Sequence, residues 1–397
     1  MANHTAIPFR TIALELFETY ESFKLPAIAS RRFTQTELLQ WLEPFNTCGL
    51  YQKTELGFSG EHRPLSLYTI GSGKTKVMLW SQMHGDESTA TMALLDIFNF
   101  FLNNPQHPIT IAVKESLALL VFPMVNPDGA ERFTRRTAHG IDMNRDALAL
   151  ETPEARILKE VRDEYQPEFG FNLHDQGSRY SVGTTRHIAA LALLAPAFDE
   201  SRSENLVRTR AKHLAATFAQ ILEQFIPGHI AKWDDTFEPR AFGDNVQRWG
   251  TSTVLVESGG WQNDPEKFFI RKLNSVGLLT SLYAIATNQY QHTDTTLYEQ
   301  IPFNTQLACD LIIRHAQLKA NDHVQSLHVD IGINFEDVIN PQTQALEKIA
   351  TVAELGDLRT FIALQEQDAR GAALDASLAR LNQQFPAEKI HSLLRRS

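Results

Sequence analysis

The chain has 397 residues, of which 43% are hydrophobic, so it is long enough to bury one large core or two smaller ones. Its formal net charge is -10 and it has no long run of lysine and arginine, which argues against nucleic acid and anionic membranes as partners. Its two cysteines, Cys48 and Cys309, are too few for a disulfide framework or a cysteine-rich metal site. The N-terminus has no basic stretch followed by an apolar one, and no apolar run is long enough to span a membrane, so we expect a cytoplasmic protein.

Residues 1–60 carry helix signals, and Thr34-Gln-Thr-Glu37 is a capping-box pattern, so we expect an N-terminal helical lead-in. Residues 61–288 alternate short β-rich runs with longer amphipathic ones, which is typical of α/β architecture and predicts one large domain. The predicted elements of this domain are strand 76–81, helix 88–102, strand 117–123, helix 153–165, strand 169–173, helix 203–225 and strand 251–256.

The character of the sequence changes after residue 288. The polar stretch 289–296 is typical of a linker. Residues 297–397 contain short alternating runs such as Val324–Ile333, followed by helix signals from Leu374 onward. We therefore expect a small C-terminal α+β domain that ends in a helical tail.

Three residues with zinc-binding side chains follow predicted strands. His84 and Glu87 come after strand 76–81, and His174 comes directly after strand 169–173. Ligands in open α/β sheets collect beyond the carboxyl ends of the strands, so we expect these side chains to converge. Two imidazoles and one carboxylate leave a fourth position open on zinc, as in catalytic sites. The sequence thus predicts one Zn2+ per chain, although such ligands also accept other divalent metals.

A fourth candidate, Glu257, ends the apolar run Val254–Val256. A carboxylate in this place is costly to bury without a partner, and one interpretation is a salt-bridged residue at a strand end. Beside a zinc ion, Glu257 would instead be the general base that takes a proton from water and returns it to the leaving amine.

Five motifs now stand in a recognisable order, and together they resemble the zinc carboxypeptidases of the M14 family, carboxypeptidase A and its relatives, over about residues 65–286. The resemblance implies an α/β/α sandwich on a mixed, mostly parallel eight-stranded sheet. It also implies zinc held by both histidines and Glu87, with Glu257 as the catalytic glutamate. The motifs are His84-x-x-Glu87, Asn126-Pro-Asp-Gly129, Gly140-Ile-Asp-Met-Asn-Arg145, His174 and Glu257.

The resemblance also implies roles for residues between the zinc ligands. Asn144 and Arg145 match the pair that binds the free C-terminal carboxylate of a substrate, a task suited to the planar fork of a guanidinium. Arg135 matches the arginine that stabilises the oxyanion of the tetrahedral intermediate, with Arg136 as the alternative. Asp142 matches the carboxylate that orients the first zinc histidine. Asn126-Pro-Asp-Gly129 is a turn signal that is expected to scaffold the site.

One departure from the family concerns a mobile tyrosine that classical members carry before the last strand of the site. The corresponding stretch 233–245 contains no tyrosine, and Phe237 and Phe242 are the candidates for its place. Tyr180 is the only tyrosine between the second zinc histidine and the predicted base. The substrate side chain also stays open, because the stretch after the second zinc histidine offers both acidic and basic candidates: Asp234, Asp235 and Asp244 against Arg179, Arg240 and Arg248.

These patterns lead to one function and two alternatives. We expect a zinc metallocarboxypeptidase that hydrolyses the C-terminal bond of a peptide. The first alternative is an N-acyl amino acid deacylase resembling succinylglutamate desuccinylase and aspartoacylase, which would share the metal ligands. The second is a non-enzymatic zinc-binding scaffold. Blocked dipeptides and N-acyl amino acids would distinguish the first two, and the sequence leaves the oligomeric state open.

Overall fold

The computed structural model describes residues 6–319, 323–340, 342 and 346–394. Its contacts divide the chain into two units. The first comprises Met1–Gln176, Leu191–Ser258 and Glu266–Phe303. The second comprises Gly177–Ala190, Gly259–Pro265 and Asn304–Ser397. The C-terminal part of the chain is therefore grouped with two segments that interrupt the first unit in the sequence.

The helices of the described residues belong to the first unit. The capping box predicted at Thr34 is confirmed, since its hydroxyl accepts from the Glu37 amide over 3.3 Å and the Glu37 carboxylate accepts from the Thr34 amide over 2.8 Å. The helices are α1 (Phe9–Thr19), α2 (Gln35–Thr47), α3 (Thr89–Asn103), α4 (Pro108–Ser116), α5 (Pro127–Arg132), α6 (Pro153–Tyr165), α7 (Leu206–Leu222), α8 (Phe242–Arg248), α9 (Phe268–Ala286) and α10 (Thr296–Glu299), with 3-10 segments at Tyr20–Ser22, Met143–Arg145 and Gln289–His292.

The strands form one sheet in the first unit and two in the second. They are β1 (Gln52–Phe58), β2 (Pro64–Ile70), β3 (Thr75–Ser81), β4 (Leu117–Phe122), β5 (Phe169–Asp175), β6 (Ser181–Val182), β7 (Leu191–Leu194), β8 (Ile230–Lys232), β9 (Ser252–Ser258), β10 (Asn304–Thr305), β11 (Ala308–Leu318), β12 (Leu327–Ile339), β13 (Leu346–Gly356), β14 (Ile362–Asp368) and β15 (Gln384–Pro386).

The sheet of the first unit has eight strands in the order β1-β2-β4-β3-β5-β9-β7-β8. Strands β4, β3, β5 and β9 are parallel neighbours at its centre, as are β7 and β8, whereas the other neighbours are antiparallel. This is the mixed eight-stranded sheet that the resemblance implied. Because the central strands are parallel, their carboxyl ends meet at one edge, where a site can form.

Helices pack against this sheet. Alternate residues of β3, Met78 and Trp80, lie in one buried cluster with Leu158 of α6 and Phe242 of α8. Helices α3 and α7 pack on α9, and they also contact β5 and β9. The α/β architecture is thereby confirmed.

Residues 1–60 contain a strand as well as the expected helices. Strand β1 pairs with β2 in antiparallel fashion at the edge of the sheet. Its sequence Gln-Lys-Thr-Glu-Leu-Gly-Phe is mostly polar and its residues are exposed or half-buried. An edge strand of this kind has too few apolar residues for alternation to reveal it.

The second unit contains a two-stranded sheet, β10-β6, and a five-stranded sheet in the order β14-β11-β12-β13-β15. The tail from Leu374 onward differs from expectation, because turns, β15 and a 3-10 segment at Ala387–Ser392 replace the helix. The Asp375 carboxylate accepts from the Ser377 amide over 2.9 Å, a local turn that competes with helix formation. The apolar residues of the tail instead join the core of the sheet.

Candidate active site

His84 and Glu87 follow strand β3, and His174 lies within the neighbouring parallel strand β5. His84 and Glu87 lie in the turn between β3 and α3, in which the Glu87 amide donates to the carbonyl of His84 over 3.2 Å. His174 is near the end of β5. The expected convergence at the carboxyl ends of the strands is therefore present in the structure.

The turn that carries His84 is packed tightly on the Asn126-Pro-Asp-Gly129 segment. A Cβ at Gly85 would lie 2.0 Å from the carbonyl carbon of Gly129, and a Cβ at Gly129 would lie 2.8 Å from the carbonyl oxygen of Arg136, so both positions require glycine. The Asn126 side chain caps α5 by accepting from the Gly129 amide over 2.9 Å. The segment therefore packs directly against the turn that carries His84, in agreement with the scaffolding role expected for it.

The donor atoms of these three residues form a compact triangle. The Nδ1 atoms of His84 and His174 are 3.2 Å apart, and each lies 2.7 Å from one oxygen of Glu87. All three residues are buried, and they form a group that could hold a metal ion among the residues that the structure describes. Two imidazole nitrogens and a carboxylate are a donor set suited to zinc, so these residues fit the ion that the sequence predicts.

The charges within the triangle stabilise one another. Burial raises the pKa of Glu87, but the two histidines outweigh it and hold this pKa well below its usual range. Burial lowers the pKa of His84, but Glu87 and Asp142 outweigh it and raise the value to about 9. The pKa of His174 is lowered, because burial exceeds the attraction of Glu87. A cation between these ligands would compete with the proton on His84.

Asp142 contacts the ring nitrogen of His84 that does not belong to the triangle. Its Oδ1 atom is 3.0 Å from Nε2 of His84, and the same oxygen accepts from the Asn144 amide over 2.9 Å. A proton on Nε2 leaves the lone pair of Nδ1 facing the triangle, as a metal ligand requires. The other histidine lacks such a support, since its Nε2 atom is buried without a hydrogen-bond partner in the described part of the chain.

Arg135 reaches the triangle, whereas Arg136 does not. The Nη1 atom of Arg135 lies 3.0 Å from Nδ1 of His84 and 3.2 Å from Oε1 of Glu87. Its Nε and Nη2 atoms donate to Oδ2 of Asp142 over 3.1 and 3.0 Å. The Nη1 atom of Arg136 donates instead to the carbonyl of Gly140. The structure thus favours the first of the two arginines proposed for the oxyanion.

Glu257 lies on β9, where its Cα partner on β5 is His174. It is 8% exposed, and no described residue forms a hydrogen bond with its carboxylate. Burial raises the pKa of Glu257 well above its ordinary value, and the negative charge of Glu87 raises it further. The salt-bridged strand end considered from the sequence is absent from the described residues.

Asn144 and Arg145 lie in the 3-10 segment that follows Asp142. The Oδ1 atom of Asn144 accepts from the Phe242 amide at the start of α8 over 2.8 Å. Arg145 is partly exposed, and its Nε atom is 3.4 Å from a carboxylate oxygen of Glu238. Asn144 therefore lies next to the site, because its amide donates to the carboxylate of Asp142. The carboxylate of Glu238 lies beside Arg145.

Several side chains that the sequence left open now have defined surroundings. Phe242 is fully buried in the core, which excludes it from the place of the missing tyrosine. Phe237 is half-buried and remains a candidate. Asp235 pairs with Arg208 at 2.8 Å, and Asp244 accepts from the backbone, so both have structural contacts of their own.

Asp175 is a site residue that the sequence analysis did not identify. Its amide donates to Oε2 of Glu87 over 3.1 Å, and its carboxylate lies 3.1 Å from Nζ of Lys267. A carboxylate directly after a predicted metal ligand was the signal for Asp175. The position of Lys267 follows no pattern in the sequence.

Comparisons with known proteins agree with this geometry. The model of the family described as zinc carboxypeptidase matches residues 38–186, which include all three candidate metal ligands. The probable carboxypeptidase 2 of Trichophyton verrucosum is 28% identical over 171 residues, covering 43% of this chain and 32% of that protein. The cytosolic carboxypeptidase 6 of Mus musculus is 28% identical over 124 residues, covering 28% of this chain and 23% of that protein.

Solved structures of carboxypeptidases share the fold. A metallo-carboxypeptidase from Burkholderia cenocepacia matches with a TM-score of 0.53 and 16% identity, covering 65% of this chain and 70% of that one. The carboxypeptidase A from Helicoverpa armigera matches with a TM-score of 0.52 and 14% identity, covering 70% of this chain and 81% of that one. The chain spans about a third of the length of the first curated relatives that it matches.

None of the described helices is long and apolar enough to cross a membrane.

Proposed function

We propose that this protein is a zinc metallocarboxypeptidase that hydrolyses the C-terminal bond of a peptide. The observation that carries the proposal is the triangle of His84, Glu87 and His174, with Glu257 on the adjoining strand. The three ligands would hold one Zn2+. When bound, this ion would act as a Lewis acid and lower the pKa of water to about 7.

The residues around the metal ligands would divide the remaining work. Glu257 takes a proton from the attacking water and gives it to the leaving amine. A buried carboxylate with a raised pKa is a stronger base than an exposed one, which suits this transfer. Arg135 holds its guanidinium at the edge of the triangle, where it can stabilise the negative oxygen that develops on the substrate carbonyl.

Recognition of the chain end would depend on Asn144 and Arg145. A guanidinium binds a carboxylate through two parallel hydrogen bonds. The approach of Glu238 to Arg145 supports the view that this arginine is accessible to carboxylates. A substrate carboxylate would replace Glu238 there, and Glu238 would keep its partner Arg240, which it contacts at 2.9 Å.

The test is a substrate comparison on the zinc-loaded protein. Blocked dipeptides with a free C-terminal carboxylate should be hydrolysed, whereas the same peptides with an amidated C-terminus should not. Faster hydrolysis of N-acyl amino acids than of dipeptides would favour the deacylase instead. No hydrolysis of either class by protein that binds zinc would favour the non-enzymatic scaffold.

We further propose a cytoplasmic location, whereas the sequence leaves the substrate side chain and the oligomeric state open. Dipeptides that differ only in an acidic, basic or apolar last residue would define the side chain. Two of the curated relatives are named cytosolic carboxypeptidases, which supports the proposed location.

A further inference from the structure

Lys267 is a buried lysine that directly precedes α9, and the reaction proposed above does not use it. The residue is 9% exposed. Its φ is 55°, in the left-handed region that residues with a side chain rarely adopt. A backbone conformation of this kind persists only where the surroundings hold it in place, and such positions cluster at functional sites.

The ammonium group of Lys267 has three hydrogen-bond acceptors within reach. Its Nζ atom lies 3.1 Å from Oδ2 of Asp175, 3.3 Å from the carbonyl oxygen of Gln176 and 3.0 Å from the carbonyl oxygen of Ser258. A lysine ammonium has three N–H donors, so three acceptors satisfy it completely. Hydrogen bonds from a charged donor are stronger than those between neutral groups.

The acceptors lie at the ends of two strands that carry the proposed chemistry. Asp175 directly follows the metal ligand His174 and ends β5, whereas Ser258 directly follows the base Glu257 and ends β9. The two strands are parallel neighbours, with His174 opposite Glu257 and Asp175 opposite Ser258. Beyond these positions the two strands end, so the lysine joins them at the last paired residues.

Asp175 extends this contact to a second metal ligand. Its amide donates to Oε2 of Glu87 over 3.1 Å, and its Oδ2 atom accepts from the Thr89 hydroxyl over 2.5 Å. Asp175 therefore connects Lys267 with the turn between β3 and α3, which holds Glu87. A displacement of Asp175 would move a donor away from the metal-binding carboxylate.

We propose that Lys267 is a positioning residue that fixes Glu257 relative to the metal ligands by joining the ends of β5 and β9. The inference rests on the proposed function, in which the base and the metal ligands act on one water molecule. Lys267 touches neither the substrate nor the ion in this scheme. It acts through Asp175 and Ser258, whose neighbours in the chain are the ligand and the base.

The main experiment replaces the lysine by an apolar side chain of similar length, Lys267→Met. Three quantities are measured: the zinc dissociation constant by competition with a chelator, kcat and KM on a blocked dipeptide, and the midpoint of thermal unfolding. Loss of residues that support metal ligands typically costs about 10- to 100-fold in metal affinity or activity. We expect a loss of this size in zinc affinity and in kcat, with little change in KM.

Lys272→Met, in the first turns of α9, is the matched control. The Nζ atom of Lys272 lies 3.6 Å from the ring centroid of Phe17, so the substitution removes a comparable contact of a partly buried ammonium. This variant should lose stability while its zinc affinity and kcat stay at the wild-type values. If Lys267→Met lowers only the midpoint of unfolding, as this control does, the lysine is merely structural and the inference is wrong.

Two further variants keep the inference testable if Lys267→Met does not fold. Lys267→Arg keeps the positive charge but presents a larger group, and it should retain part of the zinc affinity. Asp175→Asn keeps an oxygen acceptor and the backbone contact with Glu87 but removes the negative charge opposite Lys267. It should weaken zinc binding and kcat as well, and wild-type values in both variants would overturn the inference.

Zinc binding separates this inference from the proposed function. If the wild type binds zinc but hydrolyses no dipeptide, and Lys267→Met binds zinc more weakly, the proposed activity is wrong but the lysine still positions the metal ligands. If the wild type is active and Lys267→Met has the same kcat and zinc affinity, only the positioning role is wrong. A wild type that binds no zinc would contradict both.

Discussion

The Oδ1 atom of Asp142 lies 3.0 Å from Nε2 of His84, while its Oδ2 atom accepts two hydrogen bonds from Arg135. Partial burial alone would raise the pKa of Asp142, but His84 and Arg135 outweigh it and hold the pKa below its usual range. One carboxylate thus contacts both a proposed metal ligand and the arginine proposed to stabilise the oxyanion. Its negative charge is needed for both contacts.

Asp142→Asn should therefore weaken zinc binding by about 10- to 100-fold, the usual effect of losing a residue that supports a metal ligand. The asparagine side chain has only one accepting oxygen, so its NH2 group would face either His84 or Arg135. Competition with a chelator measures the dissociation constant. Asp146→Asn is the matched control, because Asp146 is buried nearby and its carboxylate, among the described residues, accepts from Glu151 and Thr152 and not from a metal ligand. It should lower stability without changing zinc affinity, and equal zinc affinities of the two variants would contradict the role of Asp142.

Glu257→Gln should retain zinc and lose turnover. The substitution keeps the size of the side chain, and no described residue donates a hydrogen bond to the carboxylate, so the ligands should stay in place. General-base catalysis typically contributes about 10²- to 10⁴-fold, and kcat should fall by at least that factor. Steady-state kinetics and metal analysis of the same sample check both parts. Glu87→Gln serves as the contrast, since it should lose zinc, and near-normal turnover of Glu257→Gln would exclude Glu257 as the base.

Arg135 and Arg136 allow a test with neighbouring residues of the same type. Arg135→Ala should lower kcat by about 10²- to 10³-fold, the usual loss when a donor to an oxyanion is removed. Arg136→Ala removes a hydrogen bond to the carbonyl of Gly140 and should leave kcat near the wild-type value. The two variants change the net charge equally, so kinetics on one blocked dipeptide compare them directly. The reverse order of effects would assign the oxyanion to Arg136.

The sequence was sufficient to predict the elements that carry the metal ligands. Strand β3 and strand β5 are apolar runs bounded by turn signals, and their patterns are local. Helix α6 was predicted with the bounds it has, because Thr152 caps it and Pro153 opens it. The resemblance implied a mixed eight-stranded sheet, but the pairing order of its strands was not predicted, since periodicity does not specify which strands become neighbours.

The contacts that connect distant segments could not be predicted in this way. Lys267 is held by the backbone carbonyls of Gln176, just after β5, and of Ser258, at the end of β9, and a carbonyl has no residue identity that a sequence could reveal. The Oδ1 atom of Asn144 similarly accepts from the backbone of α8. Phe242 was considered for the place of the missing tyrosine because it lies in the right stretch. Its burial depends on packing against α6 and β3, which only the folded chain determines.

A last prediction concerns Asp244 in the first turn of α8, which is 9% exposed and accepts from the Glu238 amide over 3.1 Å. Burial raises the pKa of its carboxyl to about 7, although hydrogen bonds from the backbone oppose the change. An aspartate in an unfolded chain has a pKa of about 3.9. The folded protein therefore keeps this proton to a higher pH than the unfolded chain does. Stability should fall as the pH rises from about 4 to about 7, since the folded state then binds more protons than the unfolded state.

Asp244→Asn removes this ionisation and keeps an oxygen that can accept from Glu238. Above about pH 7 the variant should exceed the wild type in free energy of unfolding by on the order of 2–4 kcal/mol, and near pH 4 the gain should vanish. Urea unfolding at the two pH values measures the difference. Asp234→Asn, at an exposed position of the preceding loop, controls for the change in net charge. If Asp244→Asn differs from the wild type equally at both pH values, the carboxyl does not carry a raised pKa in the folded protein, and the start of α8 tolerates its charge.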